Sequence, residues 1–131
     1  MLYIFVGNRQ QDEIWINIGG SQPAQQGTFI LKETVGGAEQ THSAELADLD
    51  RDGDLDALVV YSKHARIWLN DGAARFTAGQ HLTFESHYAL ALGDIDSDGD
   101  IDIFAGSVNQ EILTWFNDGS GVFSNKDPEG G

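Results

Sequence analysis

A chain of 131 residues, 40% of them hydrophobic and 10% aromatic, is one domain long and has enough apolar side chains to fold around a core. Its 21 acidic residues against 7 basic ones give a net charge of −14, which argues against nucleic acid or anionic membranes as partners because their phosphates are repelled. The absence of cysteine excludes disulfides, thiolate zinc sites and a cysteine nucleophile, and no apolar run reaches the roughly 18 residues of a membrane span, so no membrane insertion is expected.

The first predicted strand covers residues 2–6. This apolar start lacks a basic flank and a cleavage site and runs into Arg9, Gln10, Gln11 and Asp12, so it reads as a strand and not as a signal peptide. If the native protein is secreted, its signal lies outside this chain. Strands are expected next at 13–17 and 29–32, separated by a loop around 21–26 that is six residues longer than its later counterparts. Further strands are expected at 43–47, 57–61, 66–69 and 76–82, and then at 88–92, 103–107, 112–116 and 122–124. All are short, rich in β-branched and aromatic residues, and bounded by Gly, Asn and Asp; none shows helical periodicity, so the chain reads as all-β.

The later elements repeat the earlier ones. Trp68-Leu69-Asn70-Asp71-Gly72 returns 47 residues on as Trp115-Phe116-Asn117-Asp118-Gly119, and Phe29, Phe76 and Phe123 keep the same spacing. Ile14-Trp15-Ile16-Asn17 is an earlier copy of the tryptophan element. The units run approximately over 1–36, which lacks its first strand, 41–83 and 87–125. The Asn-Asp-Gly triplets read as hairpin turns, since these residues tolerate positive φ. Leu58-Val59-Val60 and Ile103-Phe104-Ala105 are apolar on both faces, so their sheets are expected to lie between neighbours. Ala89, Ala91 and Gly93 supply the small side chains needed where sheets converge on an axis. Four-stranded sheets at this period, packed face to face, describe propeller blades. The expected fold is a single partial β-propeller over 1–131 with about two and three-quarter blades.

Between the first and second strands of each full unit lies an acidic stretch. Asp48-Leu49-Asp50-Arg51-Asp52-Gly53-Asp54-Leu55-Asp56 recurs 46 residues later as Asp94-Ile95-Asp96-Ser97-Asp98-Gly99-Asp100-Ile101-Asp102. Each places Asp at positions 1, 3, 5, 7 and 9 and Gly at 6, and such crowded carboxylates repel one another unless a cation sits among them. A hard ion taking six to eight oxygens at about 2.3–2.6 Å relieves that repulsion. The alternate positions 1, 3 and 5 point inward when the chain curls around it, position 7 offers a carbonyl, and position 9 closes the shell. With no His, Cys or Met inside either loop, two Ca²⁺ sites are expected in preference to Zn²⁺ or copper, and ahead of the tighter, wetter Mg²⁺. An EF-hand is rejected, because its position-12 glutamate is replaced by Val59 and Ala105, both inside apolar strand runs.

With acidic loop, apolar strand, Asn-Asp-Gly turn and following phenylalanine in order over nearly the whole chain, the sequence resembles the FG-GAP/VCBS repeats of integrin α-subunit-like β-propellers. The resemblance implies that each loop joins the innermost strand of a blade to the next and binds Ca²⁺. It implies side-chain ligands at Asp48, Asp50, Asp52 and Asp56, and at Asp94, Asp96, Asp98 and Asp102, with carbonyls from Asp54 and Asp100. Such propellers close with around seven blades, so this chain is expected to need further blades of a longer parent or other copies of itself, a homodimer being favoured. The implied role is recognition of a protein or glycan at the cell surface or outside the cell, with structural Ca²⁺. A lectin is the alternative, with Trp15, Trp68 and Trp115 stacking on sugars and His42, His87 and Tyr88 adding hydrogen bonds, although inter-blade packing also explains the tryptophans. A fragment of a propeller polysaccharide lyase or dehydratase is disfavoured: His42, His64, His81, His87 and Glu45 form no repeated catalytic spacing, and no enzymatic activity is expected.

Overall fold

The computed structural model describes residues 3–7, 11–17, 29–35, 40–62, 64–73, 75–83, 88–107 and 112–126. The expected loop around 21–26, Leu2 at the start of the first predicted strand, and His87 lie outside these residues. Among the described residues the chain forms β-strands and no helix. A first sheet consists of β1 (Tyr3–Val6), β2 (Asp12–Asn17) and β3 (Phe29–Val35) in that order. The middle sheet is β4 (Ser43–Ala47), β5 (Asp56–Val60), β6 (His64–Asn70) and β7 (Phe76–Thr83). The last is β8 (Tyr88–Gly93), β9 (Asp102–Ser107), β10 (Ile112–Asn117) and β11 (Phe123–Lys126). Every neighbouring pair is antiparallel, so each sheet is a simple up-and-down meander, the blade of a propeller.

The hairpins follow from local chemistry. Gly72 and Gly119 adopt φ of 90° and 93°, a region closed to most side chains, and let the chain reverse between β6 and β7 and between β10 and β11. Each reversal is closed by a backbone bond, from Asp71 N–H to Arg75 O and from Asp118 N–H to Val122 O, both 3.0 Å. Two strands run three residues longer than the sequence suggests, while the other boundaries differ by at most two. β6 begins at His64, whose ring stacks on Tyr61 at 4.6 Å and meets His81 edge-on. β3 continues to Val35, which pairs with Asp12 beyond a bulge at Ile14 and Trp15.

The sheets stack face to face. All five residues of β5 are buried, as a strand covered on both faces requires. Alternation along the strand sends Leu58 and Val60 to one side, where they pack with Ala65, Ile67 and Leu82 against Ile103, Ala105, Trp115 and Phe123 of the last sheet. Ala57 and Val59 face the other side and meet Phe76, Trp68 and the first sheet's Phe5, Ile14 and Val35. Burying a side chain such as Leu58 or Ile103 completely stabilises the fold by about 1.5–3 kcal/mol each. Trp68 and Trp115 therefore lie between sheets, packed in these two clusters. The three sheets make a partial propeller whose ring is not closed.

Polar contacts tie the layers together as well. The Gln80 side chain donates to Phe123 O at 2.8 Å and accepts from Phe123 N–H at 2.7 Å, so one amide grips both backbone groups of a residue in the next sheet. Between the first and middle sheets the buried Asp12 carboxylate accepts from the Thr41 hydroxyl at 2.7 Å and the Tyr61 phenol at 3.3 Å. Burial and the Asp12 charge push the Tyr61 hydroxyl up to about 12.

Candidate metal centre

Both acidic stretches are loops between the first and second strands of a full sheet, β4 to β5 and β8 to β9. Each is wound by its own backbone. Position 1 receives two N–H groups: Asp48 accepts from Asp52 at 3.2 Å and Gly53 at 2.9 Å, and Asp94 accepts from Asp98 at 3.1 Å and Gly99 at 2.9 Å. The winding requires left-handed backbone twice per loop, at Arg51 and Gly53 (φ 62° and 89°) and at Ser97 and Gly99 (φ 63° and 91°). Glycine at position 6 meets that demand without the steric cost of a Cβ.

Position 9 opens the next strand and is fully buried in both copies. Asp56 accepts from Leu49 N–H with one oxygen and from Asn70 N–H with the other, both at 2.8 Å. Asp102 repeats this with Ile95 N–H and Asn117 N–H, both at 2.9 Å. One carboxylate thus joins the start of the loop to the end of the third strand, and the second lone pair of each oxygen stays available to a cation.

Carboxylate oxygens converge at both loops. Asp94, Asp96, Asp98 and Asp102 each offer one within 4.8 Å of the others, and Asp48, Asp50 and Asp56 do the same. The last loop gathers the full expected set. In the first loop the grouped set lacks Asp52, whose carboxylate accepts Asp54 N–H at 2.8 Å. The carboxylates of Asp54 and Asp100 lie elsewhere, against the turn glycines. A Cβ on Gly72 would come within 2.7 Å of Asp54, and one on Gly119 within 3.2 Å of Asp100. Those glycines are therefore required both for φ and for the room they leave an acidic side chain.

The crowding is legible in proton affinity. Burial and the neighbouring Asp56 charge push the Asp50 carboxyl up to about 6. Burial also raises Asp56, against the backbone N–H bonds from Asn70 and Leu49. Asp96 is raised by desolvation and by sharing a hydrogen bond with Asp98, while Asp98 is lowered, chiefly by the Asp100 N–H that it accepts. Carboxylates that resist ionisation side by side gain most from a positive ion between them. The donor set is all oxygen and mostly anionic, so it fits a hard divalent cation.

Two further features join the sites to their surroundings, and neither was apparent as a site feature in the sequence. The Asn70 side chain donates to Leu55 O at 3.0 Å and accepts from Gly72 N–H at 3.0 Å, so the hairpin asparagine also holds the acidic loop. Asn117 does this with Ile101 O and Gly119 N–H and adds Gly121 N–H and, across the sheet boundary, Leu49 O at 2.8 Å. Arg51, at position 4 of the first loop, reaches the second: its Nε lies 2.6 Å from an Asp100 carboxylate oxygen and a terminal nitrogen donates to Asp98 O at 3.4 Å.

The family model for the FG-GAP-like repeat matches the chain twice, over residues 1–59 and 48–105. The chain belongs to the FG-GAP-like repeat family. The two matches start 47 residues apart, the spacing of the tryptophan elements, and overlap on the first acidic loop. This FG-GAP-like chain is a β-propeller module by family and by architecture. No curated protein and no solved structure matches it.

Proposed function

We propose that this chain is a calcium-stabilised recognition module, built of propeller blades and without chemistry of its own. The observation that carries the reading is the convergence of carboxylates in two loops of equal design, in register with the repeat. Ca²⁺ suits an oxygen-only set of three or four carboxylates better than Zn²⁺, which favours nitrogen and sulfur, or Mg²⁺, which keeps more of its water. The ion acts structurally, neutralising the loop and fixing the crossover from the first to the second strand of each full blade. Millimolar calcium outside the cell fills sites of modest affinity, and FG-GAP repeats are typical of extracellular proteins, so secretion or the cell surface is the proposed location.

Loops at the rim then recognise a protein or a glycan, and the unclosed ring is completed by self-association, a dimer giving six sheets. A sugar-stacking role keeps only Trp15 as its candidate, since Trp68 and Trp115 are occupied between sheets. The test is calorimetric titration with Ca²⁺ together with thermal melts in Ca²⁺ and in chelator. Two binding events are expected, and each site held at 100 times its Kd adds about 2.7 kcal/mol of stability. Asp96→Asn should remove one event and leave the other. No binding heat and identical melts with and without chelator would refute the proposal.

A further inference from the structure

The outermost faces of the stack are unlike each other, and each resembles one half of a junction the chain already makes. On the last sheet, Phe104 and Ile112 point away from the middle sheet and are 41% and 48% exposed. Phe104 stands where Leu58 stands one unit earlier, and Ile112 where Ala65 stands. Leu58 and Ala65 are fully buried, because the last sheet covers them. On the first sheet, Ile4 and Leu31 flank Trp15 on the face opposite Ile14 and are 42% and 47% exposed. Ile4 pairs with Trp15 as Ile103 pairs with Trp115, and Ile103 with Trp115 forms the surface that the last sheet lays on Leu58.

We propose that a second copy of this chain covers the outer face of the last sheet with the outer face of its own first sheet, head to tail. The junction repeats between chains the contact already present within one, Phe104 of one copy meeting Ile4 of the next as Leu58 meets the Ile103 surface. It is heterologous, so the two faces of one chain are both used and neither pairs with itself. Two chains that close this way share two equal junctions and leave neither apolar face in water. The inference rests on the self-association part of the proposed function and not on calcium.

The test uses the 131-residue chain with Ile4→Glu or Phe104→Glu, both at exposed positions, with circular dichroism and thermal melting to verify folding. The unaltered chain should run in light scattering at the mass of two or more copies. Either variant alone should associate more than tenfold more weakly, while their equimolar mixture, which retains one intact head and one intact tail, should restore a 1:1 dimer by native mass spectrometry. Leu31→Glu and Ile112→Glu repeat the experiment from independent positions. A variant that still dimerises alone, or a mixture that stays monomeric, would overturn the head-to-tail mode while self-association stands. A monomeric unaltered chain would overturn both.

Discussion

Asn70 and Asn117 occupy the same turn of successive units, yet their contacts predict unequal effects on truncation. Asn70→Ala removes the bonds to Leu55 O and Gly72 N–H. Asn117→Ala removes the bonds to Leu49 O, Ile101 O, Gly119 N–H and Gly121 N–H, and Leu49 is fully buried. Both asparagines are buried and lose the same side-chain volume, and the backbone N–H that each donates to the position-9 aspartate survives in alanine. At about 1 kcal/mol per neutral hydrogen bond, the costs are roughly 2 kcal/mol for Asn70→Ala and roughly 4 kcal/mol for Asn117→Ala. The difference of about 2 kcal/mol corresponds to a melting temperature roughly 8 °C lower for the Asn117 variant in a domain of this size. Thermal or urea unfolding of the two variants side by side, in the same calcium concentration, measures it. Equal losses would show that the two additional bonds of Asn117, to Leu49 O across the sheet boundary and from Gly121 N–H, contribute nothing.

Acidity tests the loops in the opposite sense to ordinary acid denaturation. The Asp50 carboxyl is raised to about 6 in the fold against an ordinary 3.8, so between those values the folded chain holds a proton that the unfolded chain has released. Without cation, stability is therefore expected to rise as pH falls from 7 towards 4, with Asp56 and Asp96 acting in the same direction. Asp71, Asp98 and Asp118 are lowered, and their contribution is lost only below the ordinary carboxylate range. Melts in chelator across this interval check the sign, and a steady fall in melting temperature on acidification from pH 7 would contradict it. Arg51→Ala is expected to change stability by no more than about 1 kcal/mol, because the arginine side chain is 57% exposed. It should strengthen cation binding at the Asp94–Asp102 loop by removing a positive neighbour that helps to lower Asp98, and weaker binding in a calcium titration would refute this account.

The repeat made the three-layer architecture legible before any coordinates. Asp and Gly at fixed positions announced the loops, and the Leu58-Val59-Val60 run announced the covered strand β5, whereas the matching run in β9 leaves Phe104 41% exposed. What escaped was the traffic between layers. Asn117 bonds Leu49 across 68 residues and Gln80 bonds Phe123 across 43, and neither partner is implied by local pattern. Such pairs exist only because stacked sheets bring their edges together. Asp52 shows the same limit on a smaller scale. It has the position-5 identity of Asp98, yet its carboxylate lies outside the grouped oxygens, a difference that identical spacing does not encode.

The double grip of Gln80 on the main chain of Phe123 has a dynamic consequence. A blade in a repeat protein can in principle fray from the end of the stack, because it touches only its neighbour. Here the last described sheet is latched to the middle one at Phe123 in β11 and again at Asn117, with the apolar interlayer cluster between them. The middle and last blades should therefore open as one cooperative unit, and partial unravelling from the C-terminal side should be suppressed.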